Sequence, residues 1–167
     1  MLSFDTPTHR FSMRAVAVIR HGERLLLHRA EADPFWALPG GRVEPGEEAA
    51  VTVRREMREE LGIEANVHRL LWVVENFFQY AGRHCHELGM YFETSLPDDS
   101  PLLKGAGPYF GLESHVALRF QWFGPEALEG LDVRPVFIKR ALGLAMPVPQ
   151  HIVVREGVAG QGSRYGL

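Results

Sequence analysis

The sequence predicts a single α/β domain built on a mixed β-sheet with helices on its faces. Three observations predict it. Runs rich in β-branched and aromatic residues recur between turns that carry Gly or Pro. One segment, residues 46–61, has the apolar spacing of an amphipathic helix. Strands and helices do not alternate as repeated βαβ units, which favours a mixed sheet over an all-parallel one. A chain of 167 residues suits one such domain and its core.

Residues 1–12 read as a loose lead-in, residues 13–155 as the domain, and residues 156–167 as a flexible tail. "MRAVAVIR" (13–20) and "RLLLHRA" (24–30) are expected to form a hairpin across the turn "HGE". In "EADPFWALPGG", Pro34, Pro39 and the Gly40–Gly41 pair point to an irregular loop. The helix that follows has Gly46, Glu47 and Glu48 at its start, where the dipole favours acids, and Gly62 at the capping position. "EANVHRLLWVVENFFQY" and "HCHELGMYFETSL" are strands joined by "AGR". Residues 97–114 read as a long surface loop and "HVALRFQWF" (115–123) as a strand. "GPEALEG" starts a short helix, "RPVFIKRALGLA" (134–145) a second amphipathic helix with Pro135 in its first turn, and "HIVVRE" a last strand.

Bulk composition narrows the function classes. Apolar residues make up 46% and charged residues 23%, with a net charge of −3. That balance argues against nucleic-acid binding over a broad basic surface. The lone cysteine, Cys85, excludes an intramolecular disulfide framework. No signal-peptide pattern or bilayer-length apolar run is present, so no membrane association and a cytoplasmic location are expected.

The helix holds an electrostatic oddity. Ala50, Val53, Met57 and Leu61 recur at steps of three and four. At about 100° per residue they share one stripe, while Glu56, Glu59 and Glu60 share another arc about 120° away. Like charges at i, i+4 cost about 0.2–0.5 kcal/mol. Acids in a last turn cost about 0.3–1 kcal/mol each. Arg55 offsets part of this, for example by pairing with Glu59. A solvated polar face is one reading. The other is a divalent-cation site, because Mg²⁺ takes carboxylates, waters and phosphate oxygens.

The preceding glycine-rich loop adds specificity. Gly41, Glu47, Arg55, Glu56, Met57, Glu59, Glu60, Gly62 and Ile63 meet every defined position of G-x5-E-x7-R-E-U-x-E-E-x-G-U, with U a bulky aliphatic residue. The chain therefore resembles the Nudix hydrolase (MutT-like) family, from residue 13 to about 145. The resemblance implies the Nudix fold, an α/β/α sandwich around a mixed sheet with the box as loop–helix–loop. It implies Mg²⁺-dependent hydrolysis of a nucleoside diphosphate linked to a group X, with Mn²⁺ as a substitute. Glu56, Glu59 and Glu60 would ligate the metal together with the Gly40 carbonyl, and Glu47 and Arg55 would orient the ligands. Glu59 is the first choice for the group that activates water, and Glu113, in "GLESH", is the alternative outside the box. The partner is a small nucleotide, with a homodimer open.

Other residues carry two readings each. Arg42 reaches a phosphate or is a solvated loop arginine. Arg29 lines the pocket or makes a surface ion pair. Trp36 supports the loop or stacks a base. Tyr80 resembles the tyrosine that marks dinucleoside polyphosphate hydrolases of the family, or is a hairpin aromatic. His84 and His86 share a strand face that Cys85 does not, so "HCH" is not expected to bind zinc. Family signatures for NADH, ADP-ribose and coenzyme A substrates and for the isomerase branch are absent. A non-catalytic nucleotide-sensing module is the alternative from a different class, disfavoured because no box glutamate is missing.

Overall fold

The computed structural model describes residues 1–112, 117–141, 149–155 and 164–166. The chain opens with β1 (Ser3–Asp5), the long β2 (His9–His21) and β3 (Arg24–Ala30), then the short β4 (Trp36–Ala37) and β5 (Gly40–Arg42). Helix α1 (Ala49–Leu61) follows, then the hairpin of β6 (Asn66–Tyr80) and β7 (Arg83–Ser95). A 3₁₀ turn at Pro101–Lys104 and β8 (Tyr109–Phe110) precede β9 (Leu118–Phe123). Helix α2 (Pro125–Gly130), β10 (Val133–Arg134), α3 (Ile138–Ala141), β11 (Gln150–Arg155) and β12 (Arg164–Gly166) complete the order.

The sheet runs β10-β4-β3-β2-β7-β6-β11-β12, with β1 and β5 also on β2 and β9 on β3. β2 pairs with β7, and β6 with β11, in parallel; β2–β3 and β6–β7 are antiparallel, so the sheet is mixed as expected. Alternation along β2 splits its side chains between two cores. Ala15, Ala17 and Ile19 join Val53 and Met57 of α1 on one face. Val16 and Val18 join Leu128 of α2 and Ile138 of α3 on the other. Helices thus cover both faces, the layering of the Nudix fold.

Four expectations need correction. The lead-in is not loose: β1 pairs with β2, Ser3 opposite Ser12, because Leu2 and Met13 complete a backbone ladder that composition does not reveal. The segment with Pro34 and Pro39 contains two short strands, because the prolines fall outside them and β2 supplies the pairing for Gly40–Arg42. Pro135 does not lie in a helix; Arg134 before it is extended beside β4, as a residue preceding proline prefers, and α3 begins at Ile138. Its expected continuation through residues 142–145 lies outside the described residues. In the tail, Arg164–Gly166 pairs with β11. Among the described residues, no helix is long and apolar enough to cross a membrane.

Candidate active site

Helix α1 starts at Ala49 with Glu48 as its N-cap, so Glu47 precedes the helix and its first turn holds no acid. This corrects the expected dipole role of Glu47 and Glu48. The Glu47 side chain instead reaches along the helix. It accepts from Arg55 Nε and Nη2 at 2.9 and 3.0 Å, from Thr52 Oγ1 at 2.7 Å, and from the Glu44 amide at 3.1 Å. The Arg55 guanidinium holds the Glu47 carboxyl down at about 2. At the other end Gly62 adopts the left-handed conformation and donates to Arg58 O, closing the helix with little steric cost.

Arg55 is the hub of the carboxylate face. Its Nη1 donates to Glu56 Oε1 at 2.7 Å and to Glu59 Oε2 at 2.9 Å. Its Nη2 also donates to the Arg42 carbonyl at 3.1 Å, tying the helix to β5. Burial pushes the Glu56 carboxyl up, against the pull of Arg55. Glu59 is exposed and Glu60 is buried. The three carboxylates therefore share a helix face but sit at three depths.

The glycine pair lets β5 approach. A Cβ on Gly41 would overlap the Glu56 carboxylate, so a side chain there would displace it. The Gly40 carbonyl accepts from Arg14 Nη2 at 2.6 Å. Glu56, Glu59, Glu60, Gly40 and Gly41 all line one cavity of about 870 Å³.

The other candidates fall around the same cavity. Arg42 lines it and is exposed. Arg29 lines it too, with its guanidinium 5.1 Å from the centre of the Trp36 ring. Trp36 itself is buried against Phe123, which makes it loop support and not a stacking surface. Tyr80 stands exposed at the cavity's edge, where its hydroxyl donates to Asp33 at 2.9 Å and its ring meets Phe35 edge-on. Glu113 lies outside the described residues. Cys85 lines the cavity while His84 contacts His9 and His86 packs against Phe77, as strand alternation requires.

Sequence reasoning missed the sheet-borne lining. Arg14, Asn76 and Glu87 belong to the cavity and to no local motif. The signal available was the alternation Arg10, Ser12, Arg14 ahead of Val16 and Val18, a polar stripe continuing an apolar one.

Carboxylate and carbonyl oxygens are the donors a hard divalent cation takes, so the set fits Mg²⁺ by chemistry. The arrangement is nevertheless one of carboxylates drawn onto Arg55. Among the described residues no three His, Cys, Asp or Glu side chains are gathered closely enough to hold a metal ion as they stand.

Comparison with known proteins extends beyond the box. The chain is 40% identical over 75 residues to the CTP pyrophosphohydrolase of Escherichia coli, covering 43% of this chain and 54% of that protein. It is 35% identical over 79 residues to the asymmetrical bis(5'-nucleosyl)-tetraphosphatase of Mus musculus, covering 46% and 52%. The matches span about half the length of these curated relatives. The fold is similar to that of a UDP-X diphosphatase, with a TM-score of 0.56 at 25% identity, over 83% of this chain and 62% of that one. The NUDIX domain family model matches residues 10–140. That match runs from β2 to α3 and takes in both the box and the sheet carrying it, so the chain belongs to the Nudix family.

Proposed function

We propose that the protein is a divalent-cation-dependent pyrophosphohydrolase that cleaves a diphosphate linkage in a nucleoside diphosphate linked to a group X. One observation carries the reading: the box carboxylates share a cavity with Arg14 and Arg42, so metal-type donors and phosphate-type cations face one space. Divalent metal use is general for the family. Glu56, Glu59 and Glu60, with the Gly40 carbonyl, would hold Mg²⁺ or Mn²⁺, which neutralises the diphosphate and eases proton loss from water.

The chain's own residues supply the rest. Arg14 and Arg42 orient the phosphates by charge-assisted hydrogen bonds. Arg55, clamped by Glu47, fixes the carboxylates. Glu59, the exposed member of the three, accepts the proton from the attacking water. Water oxygen bonds to phosphorus, the bridging P–O bond breaks, and two products leave, each ending in a phosphate group, with the water's proton passed to Glu59.

The test is a screen of nucleoside triphosphates, nucleotide sugars, dinucleoside polyphosphates and ADP-ribose with Mg²⁺ and Mn²⁺, run in ¹⁸O-labelled water. Label in a phosphate product of a cleaved diphosphate linkage is expected. Absence of cleavage in every class overturns the reading. Tyr80 favours a second, narrower reading as a dinucleoside polyphosphate hydrolase, because its ring is held at the cavity's edge by Asp33. A selective loss of that activity in Tyr80→Ala is its test.

A further inference from the structure

The cavity has a floor as well as an α1 wall, and the floor is made by cross-strand register. Ser12 on β2 stands opposite Glu87 on β7, and Glu87 stands opposite Asn76 on β6. In-register neighbours project from the same face of a sheet. All three line the cavity. Asn76 is 5% exposed, and its side-chain carbonyl oxygen has no hydrogen-bond partner. A buried acceptor of this kind is costly to leave unpaired, and native folds seldom do so without a use. Glu87 adds a second acceptor beside it; burial pushes its carboxyl up, against the weaker pull of Arg14 and Arg42.

Rings accompany the acceptors. Phe78, two residues along β6 from Asn76, lines the same cavity. Beneath it lies Tyr91, buried in T-shaped contact with Trp72 and Phe137; a Cβ on Gly89 would come within 2.6 Å of its ring. His28 lines the cavity as well, buried, with Nδ1 lacking a partner and its pKa held down at about 3 by burial, so its ring is neutral. The floor is thus a mixture of polar side-chain atoms and ring surfaces. Arg14, two residues from Ser12 on the same strand face, donates to the Gly40 carbonyl. It stands between the floor and the α1 carboxylates.

We propose that this floor binds the nucleobase of the substrate and selects bases that carry an exocyclic amino group. The inference rests on the pyrophosphohydrolase reading for the class of ligand, though not for the floor itself. A base on the floor directs its phosphates past Arg14 to Gly40 and the box. Asn76 Oδ1 and the Glu87 carboxyl are acceptors, so they match an edge that presents N–H donors. Guanine, adenine and cytosine present an amino group on that edge. Hypoxanthine lacks the one guanine has, and uracil places a carbonyl where cytosine has its amino group. A site built to bond a donor discriminates strongly against the analogue without it. Phe78, only partly buried, offers a face for the base plane.

The experiment compares two pairs that differ chiefly in the amino group, GTP with ITP and CTP with UTP. It reads kcat/KM with Mg²⁺ and, without metal, the binding of the four monophosphates by titration calorimetry. The amino-bearing member of each pair is expected to lead by about tenfold or more. Asn76→Leu and Glu87→Met, close in shape but without acceptors, should raise KM for GTP and CTP with kcat nearly unchanged and erase the preference. Glu87→Gln, which keeps an acceptor oxygen, should retain it. Equal values within both wild-type pairs overturn the proposal, and cleavage in that case leaves the pyrophosphohydrolase reading standing. A preference that survives in both apolar variants also overturns it. If no triphosphate is cleaved, the binding of the monophosphates still decides, because it needs neither metal nor turnover.

Discussion

On the α1 side of the cavity Glu47, Arg55, Glu56 and Glu59 are tied to one another; on the sheet side Asn76, Glu87 and His28 line the cavity. Arg55 alone joins Glu47, Glu56, Glu59 and the Arg42 carbonyl. On the floor, Asn76 Oδ1 and His28 Nδ1 are buried with no partner. The first arrangement holds its own geometry and suits chemistry common to every substrate. The second leaves polar atoms unpaired, and suits selection among substrates. Substitutions on the α1 side should therefore act alike on all bases, and substitutions on the floor should not.

The largest effect is expected from Glu60→Gln, on the order of 10²-fold or more in metal-dependent turnover, since it removes a charge proposed to hold the cation. The loss should be equal for every nucleotide cleaved, and the melting temperature should stay near that of the wild type. Unchanged turnover removes Glu60 from the metal set. A loss that depends on the base breaks the division between wall and floor.

Arg55→Lys comes next. Lysine keeps one charge but loses the planar fork that bonds Glu47 twice while reaching Glu56 and Glu59. Loss of such an orienting contact costs about 10–100-fold in activity or metal affinity. Titration of Mg²⁺ dependence reads it, and a lysine variant with wild-type dependence shows that Arg55 does not organise the site. Gly41→Ala should follow, because its methyl group would overlap the Glu56 carboxylate. A fall in activity with little change in unfolding temperature is expected, and steady-state kinetics beside a thermal melt distinguish the two.

The same contrast explains what was legible in the sequence. The wall is local: Glu47, Arg55, Glu56 and Glu59 lie within one loop and one helix, so spacing alone places them together. Helix α1, the β2–β3 hairpin and the long β6–β7 pair announce themselves by periodicity and turn residues. The floor is not local. Ser12, Asn76 and Glu87 meet only because β2 pairs in parallel with β7 and β7 antiparallel with β6. No spacing within a single strand encodes that register. β5 escaped notice for a related reason, since its extension comes from the ladder with β2 and not from the preferences of Gly40 and Gly41. The carboxylates' present attachment to Arg55 was legible only in part, through the i, i+4 spacing of Arg55 and Glu59.

The smallest effect, and the one that isolates the wall's charge network, is pH-dependent. Glu47 has an ordinary carboxyl value of 4.5, lowered to about 2 chiefly by its bonds from Arg55. A carboxyl lowered on folding contributes stability that is fully present above its unfolded value and lost as pH falls through its folded value. Glu47→Gln keeps the shape and removes the charge. At pH 7 it should destabilise the fold by about 1–2 kcal/mol, since both partners retain some contact with water. For a chain of this size that is a drop of about 2–8 °C in melting temperature. Between pH 4.5 and about 2 the wild-type and variant melting temperatures should converge, because protonation removes from the wild type what the substitution has already removed. A gap that stays constant across that window would mean that Glu47 acts through shape and not through charge. The wall would then be a packed scaffold like the sheet beneath it, and its contrast with the floor would rest on Arg55 and the carboxylates of α1 alone.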